Sequence, residues 1–423
     1  MGGESTRAHG EDQEQQREGC RSASADPSPT DTHLSLGLVV PGPLETRSGG
    51  YRYDRQLVSA LRERGDTVEV IDLSAYSFTP TERVSERVPP PVPRALERRL
   101  NRPFDVLIQD ELCSPTLWRV NPRLDRPDHV VALVHHLRSA EAVDDRQHGE
   151  SRRIERRYLE SVDAAVCVSE ATQRQVDALV SMPTAVAPPG GRVDSRACSR
   201  ETVLARASDG PLRLLFVGTL TPRKGVLTLL EGLASFTAAL EARPGPTRPA
   251  HLTLVGSHEA DPVYATRVVE RVRALELETQ VRITGRVSDD RLESLLERAH
   301  ALVVPSRYEG FGMVYLEAME FGVVPLASSA GGAREVVDDG VDGLLVPPGD
   351  PDAVCELLAW LERDRSRLTR LATGALETAD CHPTWTETAT RVRSFLRSLG
   401  TSGAADARVA FDTRPDTAPE EER

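Results

Sequence analysis

Strand-length apolar runs alternate with helix-length segments along this chain, and the pattern starts over halfway. From Leu34 the order is strand (Leu34 to Val40), a Pro/Gly loop (Pro41 to Gly50), helix (Tyr53 to Arg64) and strand (Thr67 to Leu73). A Pro-rich stretch (Val88 to Pro93) leads to a helix and to strands at Val106 to Gln109, Val130 to Val134 and Ala164 to Val168. A segment mixing Pro, Gly, Arg and Ser (187–208) reads as a linker, after which strand Leu212 to Val217 and helix Val226 to Leu240 restart the pattern. It continues through strands at Leu252 to Val255, Val281 to Thr284, Ala301 to Val304 and Val324 to Ala327, with helices between them. Strands that are almost wholly apolar and alternate with helices belong in parallel sheets covered on both faces. Two such sheets need two α/β domains, and 423 residues can bury two cores.

Composition narrows the function. No apolar run approaches the roughly 20 residues that cross a bilayer. Residues 1–31 carry no apolar signal-peptide core, so a solvated tail and a cytoplasmic protein are expected. The six cysteines form no CxxC pair, which argues against a zinc or redox motif. A net charge of −13 disfavours nucleic acid as a partner. Arg94, Arg98, Arg99 and Arg102 read as a solvated helix face that leaves peripheral membrane contact open. Lys224 is the only lysine among 52 basic residues. A compact ammonium approaches a phosphate as a point charge, which the broad guanidinium does less well, so this lysine is a candidate for function.

Two strand-to-helix junctions carry the chemistry. In Pro305-Ser306-Arg307-Tyr308-Glu309-Gly310-Phe311-Gly312-Met313-Val314-Tyr315-Leu316-Glu317 a strand ends, a glycine loop follows and a helix begins. Glu309 lies beyond the carboxyl end of the strand, where parallel sheets bind ligands, and Glu317 lies about one turn into the helix. A carboxylate there can accept the two hydroxyls of a ribose, and the free N–H groups of the helix start suit a diphosphate. Gly310 and Gly312 let backbone approach a ligand. In Gly218-Thr219-Leu220-Thr221-Pro222-Arg223-Lys224-Gly225 a strand again gives way to a helix, with two cations at its start. This is an anion site of the kind that phosphates occupy.

These segments resemble the E-x7-E and diphosphate-binding motifs of glycosyltransferase family 4. Gly331-Gly332-Ala333-Arg334-Glu335 and Asp339-Gly340-Val341-Asp342-Gly343 resemble the family's continuation. Gly49-Gly50-Tyr51-Arg52-Tyr53 resembles its glycine-rich loop, and Leu133-Val134-His135-His136 its histidine motif, with His135 rather than His136 at the matching position. The resemblance implies the GT-B fold, two Rossmann-like domains facing across a cleft with a C-terminal helix crossing back to the first. The expected organisation is a disordered tail (1–33), an acceptor domain (34–205), a donor domain (206–382), the crossover helix (383–400) and a polar tail (401–423).

The implied activity is metal-independent, retaining transfer of a hexose-type sugar from a UDP- or GDP-sugar to a glycan, lipid or small-molecule acceptor, with no cofactor. By resemblance His135, Glu309, Arg223 and Lys224 would be catalytic. Gly50, Gly218, Arg223, Lys224, Arg286, Glu309, Gly310, Phe311, Gly312, Met313 and Glu317 would hold the donor. No Cys, His or carboxylate stands at ligand spacing from the His135-His136 pair in the sequence, so no metal is expected. Asp350-Pro351-Asp352 spells a DxD metal motif, yet Pro351 at a helix start with Asp350 before it reads as a cap. The alternatives are an inactive GT-B paralogue acting as a binding or regulatory subunit, and a GT-B phosphorylase or synthase.

Overall fold

In the computed structural model each set of apolar runs forms a six-stranded, all-parallel sheet. Residues 33–76, 92–141, 145–192, 198–208, 210–244 and 249–401 are described. The tail residues up to 32 and from 402, and residues 88–91 of the Pro-rich stretch, lie outside them. The first sheet contains β1 (Ser35–Val40), β2 (Thr67–Asp72), β3 (Val106–Asp110), β4 (His129–Val134), β5 (Ala164–Cys167) and β6 (Thr184–Val186), in the order β2-β1-β3-β4-β5-β6. The second contains β7 (Leu212–Val217), β8 (Ala250–Val255), β9 (Val281–Gly285), β10 (Ala301–Val304), β11 (Val324–Ser328) and β12 (Leu344–Val346), in the order β12-β11-β10-β7-β8-β9. β3, β5, β10 and β11 are buried at every residue, as strands with helices on both faces must be.

This topology decides where a ligand can sit. In the first sheet the strand order reverses between β1 and β3, and in the second between β7 and β10. A parallel sheet opens a crevice at the carboxyl ends of such a pair. The glycine pair follows β1, Gly218 to Lys224 follows β7, and Glu309 follows β10. Both resembling motifs of the second half thus stand at one switch point.

Several boundaries differ from expectation. The first helix begins at Gly49 rather than Tyr53, with Ser48 as N-cap, so the glycine pair is its first turn and not a loop. Glycine's poor helix propensity hid this start, and tertiary packing overrides it. β6 and β12 have three residues each beside prolines and give too little apolar pattern to be noticed. The expected linker contains a helix, Arg200–Ser208, which the expected boundary at 205/206 divides. Arg206 ties that helix to the second sheet's helices by donating to the carbonyls of Leu296, Glu297, Phe321 and Gly322 at 2.6–3.3 Å. Asp350 does cap its helix, accepting the Ala353 N–H at 2.9 Å, with Pro351 in the first turn.

The last helix, Trp385–Thr401, crosses back to the first domain. Its Arg393 bonds Asp66 at 2.8 and 3.1 Å, and both residues are buried. Trp385 donates its indole N–H to the Gly191 carbonyl at 2.7 Å, and Thr388 its hydroxyl to the Pro188 carbonyl at 2.7 Å. Gly190 is required here, since a Cβ would stand 2.5 Å from the Trp385 nitrogen. No helix among the described residues is long and apolar enough to cross a membrane. Of the arginines singled out on the helix Arg94–Leu100 and after it, Arg99 and Arg102 pair with Glu69.

Candidate active site

The two switch points face each other across a cleft of about 760 Å³. Each wall is built by turns that the sheet ends force. After β7 the chain makes a turn at Pro222–Lys224, and Gly225 reverses it in the left-handed region (φ 69°). Only glycine fits, because a Cβ there would meet the Pro305 carbonyl oxygen at 2.1 Å. That close approach seats Arg223 and Lys224 beside the loop after β10.

Glu309 is buried between them. Its Oε1 accepts from Lys224 Nζ at 2.6 Å and from Ser306 Oγ at 2.5 Å, and its Oε2 accepts from Arg223 Nη1 at 3.1 Å. Burial pushes its pKa up, but Lys224, Arg223 and the Ser306 hydroxyl outweigh burial and hold it at about 2. Burial pulls Lys224 below the ordinary lysine value despite Glu309. Arg223 also donates to the Tyr308 carbonyl at 3.1 Å and pairs through Nε with Glu141 of the first domain at 2.6 Å. Glu141 in turn takes His136 Nε2 at 2.8 Å.

His135 lies on the opposite wall, at the end of β4. Its Nε2 is 3.2 Å from Asp54 Oδ1, and its backbone N–H donates to Glu111 Oε2 at 2.9 Å. Burial disfavours a charged ring, yet Asp54, Glu111 and Asp110 together raise its pKa from 6.5 to about 10. A Cβ on Gly50 would stand 3.3 Å from the ring, so the helix start lies directly against it. Across the cleft, a Cβ on Gly310 would stand 2.0 Å from the His135 carbonyl oxygen. The loop after β10 and the histidine strand are therefore in backbone contact.

Glu317 lines the cleft as expected but is already engaged. It pairs with Arg52 of the first domain, and Arg192 Nη1 lies 3.9 Å from its Oε2. Arg192 is itself held by Asp289 at 2.9 Å and Glu293 at 3.3 Å. Gly218 closes β7 with its N–H on the Val255 carbonyl at 2.9 Å, 3.5 Å from the Lys224 stem if it bore a Cβ. Arg286 is exposed on the cleft wall after β9. Phe311 is buried against His382, and Gly312 (φ 99°) begins the helix Met313–Met319. All the residues expected to be catalytic or to hold the donor thus line one cleft.

Arg52, Asp54, Glu141 and Arg192 around the cleft were not expected from the sequence. No carboxylate stands at ligand spacing from His135 along the chain, but folding brings ligand-type atoms of Asp54, Asp110 and His135 within 4.8 Å of one another, which removes that ground for expecting no metal. Among the described residues this is the trio whose spacing a cation could span. Asp54 Oδ1 and His135 Nε2 lie 3.2 Å apart, within hydrogen-bonding distance, so the ring nitrogen a cation would take is the one turned to Asp54. Asp54 carried a signal: it falls on the stripe Tyr53, Leu57, Val58 and Leu61 that the first helix buries.

Two parallel-sheet domains, an intervening cleft and a crossover helix define the GT-B fold. Solved structures agree: a sucrose-phosphate synthase from Thermosynechococcus elongatus superposes with a TM-score of 0.68 at 21% identity, covering 87% of this chain and all of its own. Anabaena Alr3699/HepE, in complex with UDP-glucose, does so with 0.67 at 18% identity, covering 88% of this chain and all of its own. Residues 205–378 match the family model of glycosyl transferases group 1, so that segment is a domain of that family. A D-inositol 3-phosphate glycosyltransferase of Frankia alni is 35% identical over 221 residues, 51% of this chain and 51% of its own. A glycogen synthase of Mycobacterium tuberculosis is 30% identical over 185 residues, 44% of this chain and 42% of its own. The match to each of these two spans about half of that relative's length or less.

Proposed function

We propose that this protein is a retaining glycosyltransferase that moves a sugar from a nucleoside diphosphate donor to an acceptor hydroxyl without a metal ion. The observation that carries the reading is Glu309, buried between Arg223 and Lys224 on one wall of a cleft whose other wall holds His135. The donor would lie on the second domain and the acceptor against the first. UDP-sugars are the first donors to test, since the HepE relative of the fold was solved with UDP-glucose.

The chemical problem is departure of the diphosphate from the anomeric carbon. Negative charge grows on the phosphate while the sugar gains oxocarbenium character. Arg223 and Lys224 bring eight N–H donors between them, enough to serve both Glu309 and a phosphate. Fixed cations in a site that excludes water stabilise a leaving group without reorganising. Glu309, ionised throughout the neutral range, binds sugar hydroxyls and supports the positive ring. In front-face attack the acceptor oxygen bonds to the anomeric carbon as the carbon–phosphate oxygen bond breaks, and the departing phosphate oxygen takes the acceptor's proton. The products are a glycoside of unchanged configuration and a nucleoside diphosphate.

The test is a thermal-shift and hydrolysis screen with UDP-, GDP- and ADP-sugars in EDTA, comparing wild type with Lys224→Ala and Glu317→Ala. One donor should stabilise wild type and be slowly hydrolysed, with both effects lost in the variants and the released sugar of retained configuration by proton NMR. No shift with any donor, or activity that needs added metal, would refute the proposal.

A further inference from the structure

Asp54 is a buried carboxylate that the transfer scheme above does not use. It projects from the helix Gly49–Glu63 among Tyr53, Leu57 and Leu61, and its side chain has no exposure. Its Oδ1 meets His135 Nε2 at 3.2 Å, and its Oδ2 is buried without a hydrogen-bond partner. A carboxylate costs several kcal/mol to bury, and its helix offers it no cation there. The imidazole is the group placed to neutralise it. Tyr53 closes the site from the side, its ring edge-on to the imidazole at 5.3 Å between centroids.

We infer that Asp54 is a positioning residue that holds His135 as an imidazolium, so that this histidine faces the sugar as a fixed cation and cannot act as the base for the acceptor. The inference rests on the proposed transfer reaction and decides the proton's route within it. A ring carrying protons on both nitrogens has no lone pair to accept another. The acceptor's proton must then leave on the phosphate oxygen, and a displacement with His135 as base, which would invert configuration, is closed to this site.

The titratable groups that raise the ring's pKa are all carboxyls. From the first helix comes Asp54, beside the phenol of Tyr53 that burial keeps protonated, and from the end of β3 and the turn after it come Asp110 and Glu111, with Glu111 on the histidine's own backbone N–H. His136, next in the chain, is turned to Glu141 at 2.8 Å. Gly310 presents only backbone from the second domain, while the two cations Arg223 and Lys224 on the far wall of the cleft are matched by the two carboxylates of Glu309 and Glu141. Asp110 is pushed well above the ordinary carboxyl range by burial, then by Glu111 and Asp54, which leaves Asp54 as the counter-charge in contact with the ring.

The experiment is a pH titration of the full-length protein labelled with 15N-histidine, with the His135 signals assigned by their loss in His135→Gln and with metal content measured on the same samples. Both ring nitrogens of wild type should carry protons at pH 8, and in Asp54→Asn the ring should be neutral at that pH. Transfer by Asp54→Asn should fall about a hundredfold at pH 8 and recover towards pH 6, where the ring regains its proton. A wild-type ring that is neutral at pH 8 overturns the inference, as does an unchanged titration in Asp54→Asn or a stoichiometric metal lost with Asp54. If Asp54→Asn does not fold, the wild-type spectrum alone decides. The NMR readout needs no turnover, so it stands apart from failure of the transferase reading, which the donor screen reports.

Discussion

Replacing Glu309 by Gln should destabilise the protein more than replacing Lys224 by Met, and the double variant should be more stable than the Glu309→Gln single. A carboxyl held at about 2 instead of its ordinary 4.5 prefers its charged form by about 3 kcal/mol. Lys224 supplies the largest favourable share, but Arg223 and the Ser306 hydroxyl would remain after its loss. Lys224→Met also removes an ammonium that burial disfavours, so its net cost should be about 1–2 kcal/mol. Glu309→Gln removes the counter-charge of both cations and strands Lys224 in a buried place, at a cost of about 3–5 kcal/mol. Removing Lys224 as well takes away the stranded charge, giving a coupling of about 2–3 kcal/mol, more than Lys224→Met costs alone. Urea unfolding followed by tryptophan fluorescence at pH 7 measures all three, since Trp360 reports on the second domain and Trp118 on the first. The sign with pH is fixed: because the folded pKa is depressed, the Glu309 contribution is complete above about 4.5 and lost as pH falls towards 2. Additive single costs, or a Glu309→Gln protein as stable as wild type, would refute the electrostatic account of this site.

The other contacts make separate predictions. Gly310→Ala would put a Cβ 2.0 Å from the His135 carbonyl oxygen and displace the loop that carries Glu309, so donor binding by calorimetry should weaken and transfer should fall about a hundredfold, as expected for misplaced reacting groups. Arg393→Met should cost about 3–5 kcal/mol in urea unfolding by leaving Asp66 buried without its guanidinium, and adding Asp66→Asn should recover part of it. The His135 pKa is raised in the fold, so its stabilisation is complete below pH 6.5 and lost as pH climbs to about 10, at up to about 1.4 kcal/mol per pH unit. Urea midpoints at pH 6, 8 and 10 should therefore fall more steeply for wild type than for His135→Gln.

The strands that carry the site announce themselves in the sequence, though their order in the sheets does not. β1, β3, β4, β7 and β10 are runs of Val, Leu and Ile that can only be central strands, and Glu309, Arg223 and Lys224 stand where such strands end. What stayed hidden was of two physical kinds. Elements held by packing rather than by pattern were missed, such as the three-residue β6 and β12 and the helix Arg200–Ser208 that Arg206 anchors. Partners brought together only by folding were missed as well: Asp54 and His135 lie 81 residues apart, Arg52 and Glu317 lie 265 apart, and no local spacing encodes either pair. Asp54 was the most legible of these, a charge at an apolar position of an amphipathic helix.

Several of the pairs that the sequence conceals join the two halves. Ser169 donates its hydroxyl to the Gly310 carbonyl at 2.6 Å, and Glu335 accepts the N–H groups of Glu170 and Ala171 at 2.7 and 2.6 Å, capping a first-domain helix from the second domain. Arg223 reaches Glu141, and Glu317 takes Arg52. Gly310 follows Glu309 directly, so the peptide that docks on the first domain also sets the carboxylate between its two cations. A sub-ångström shift of one half against the other would be felt at Glu309 through a single peptide unit, because a backbone contact as close as that of Gly310 on His135 cannot slide. The geometry around Glu309 and the seating of one half on the other are thus one structural variable here. A substitution at Ser169 or Glu335, lining no part of the cleft, should lower turnover with little effect on the stability of either sheet.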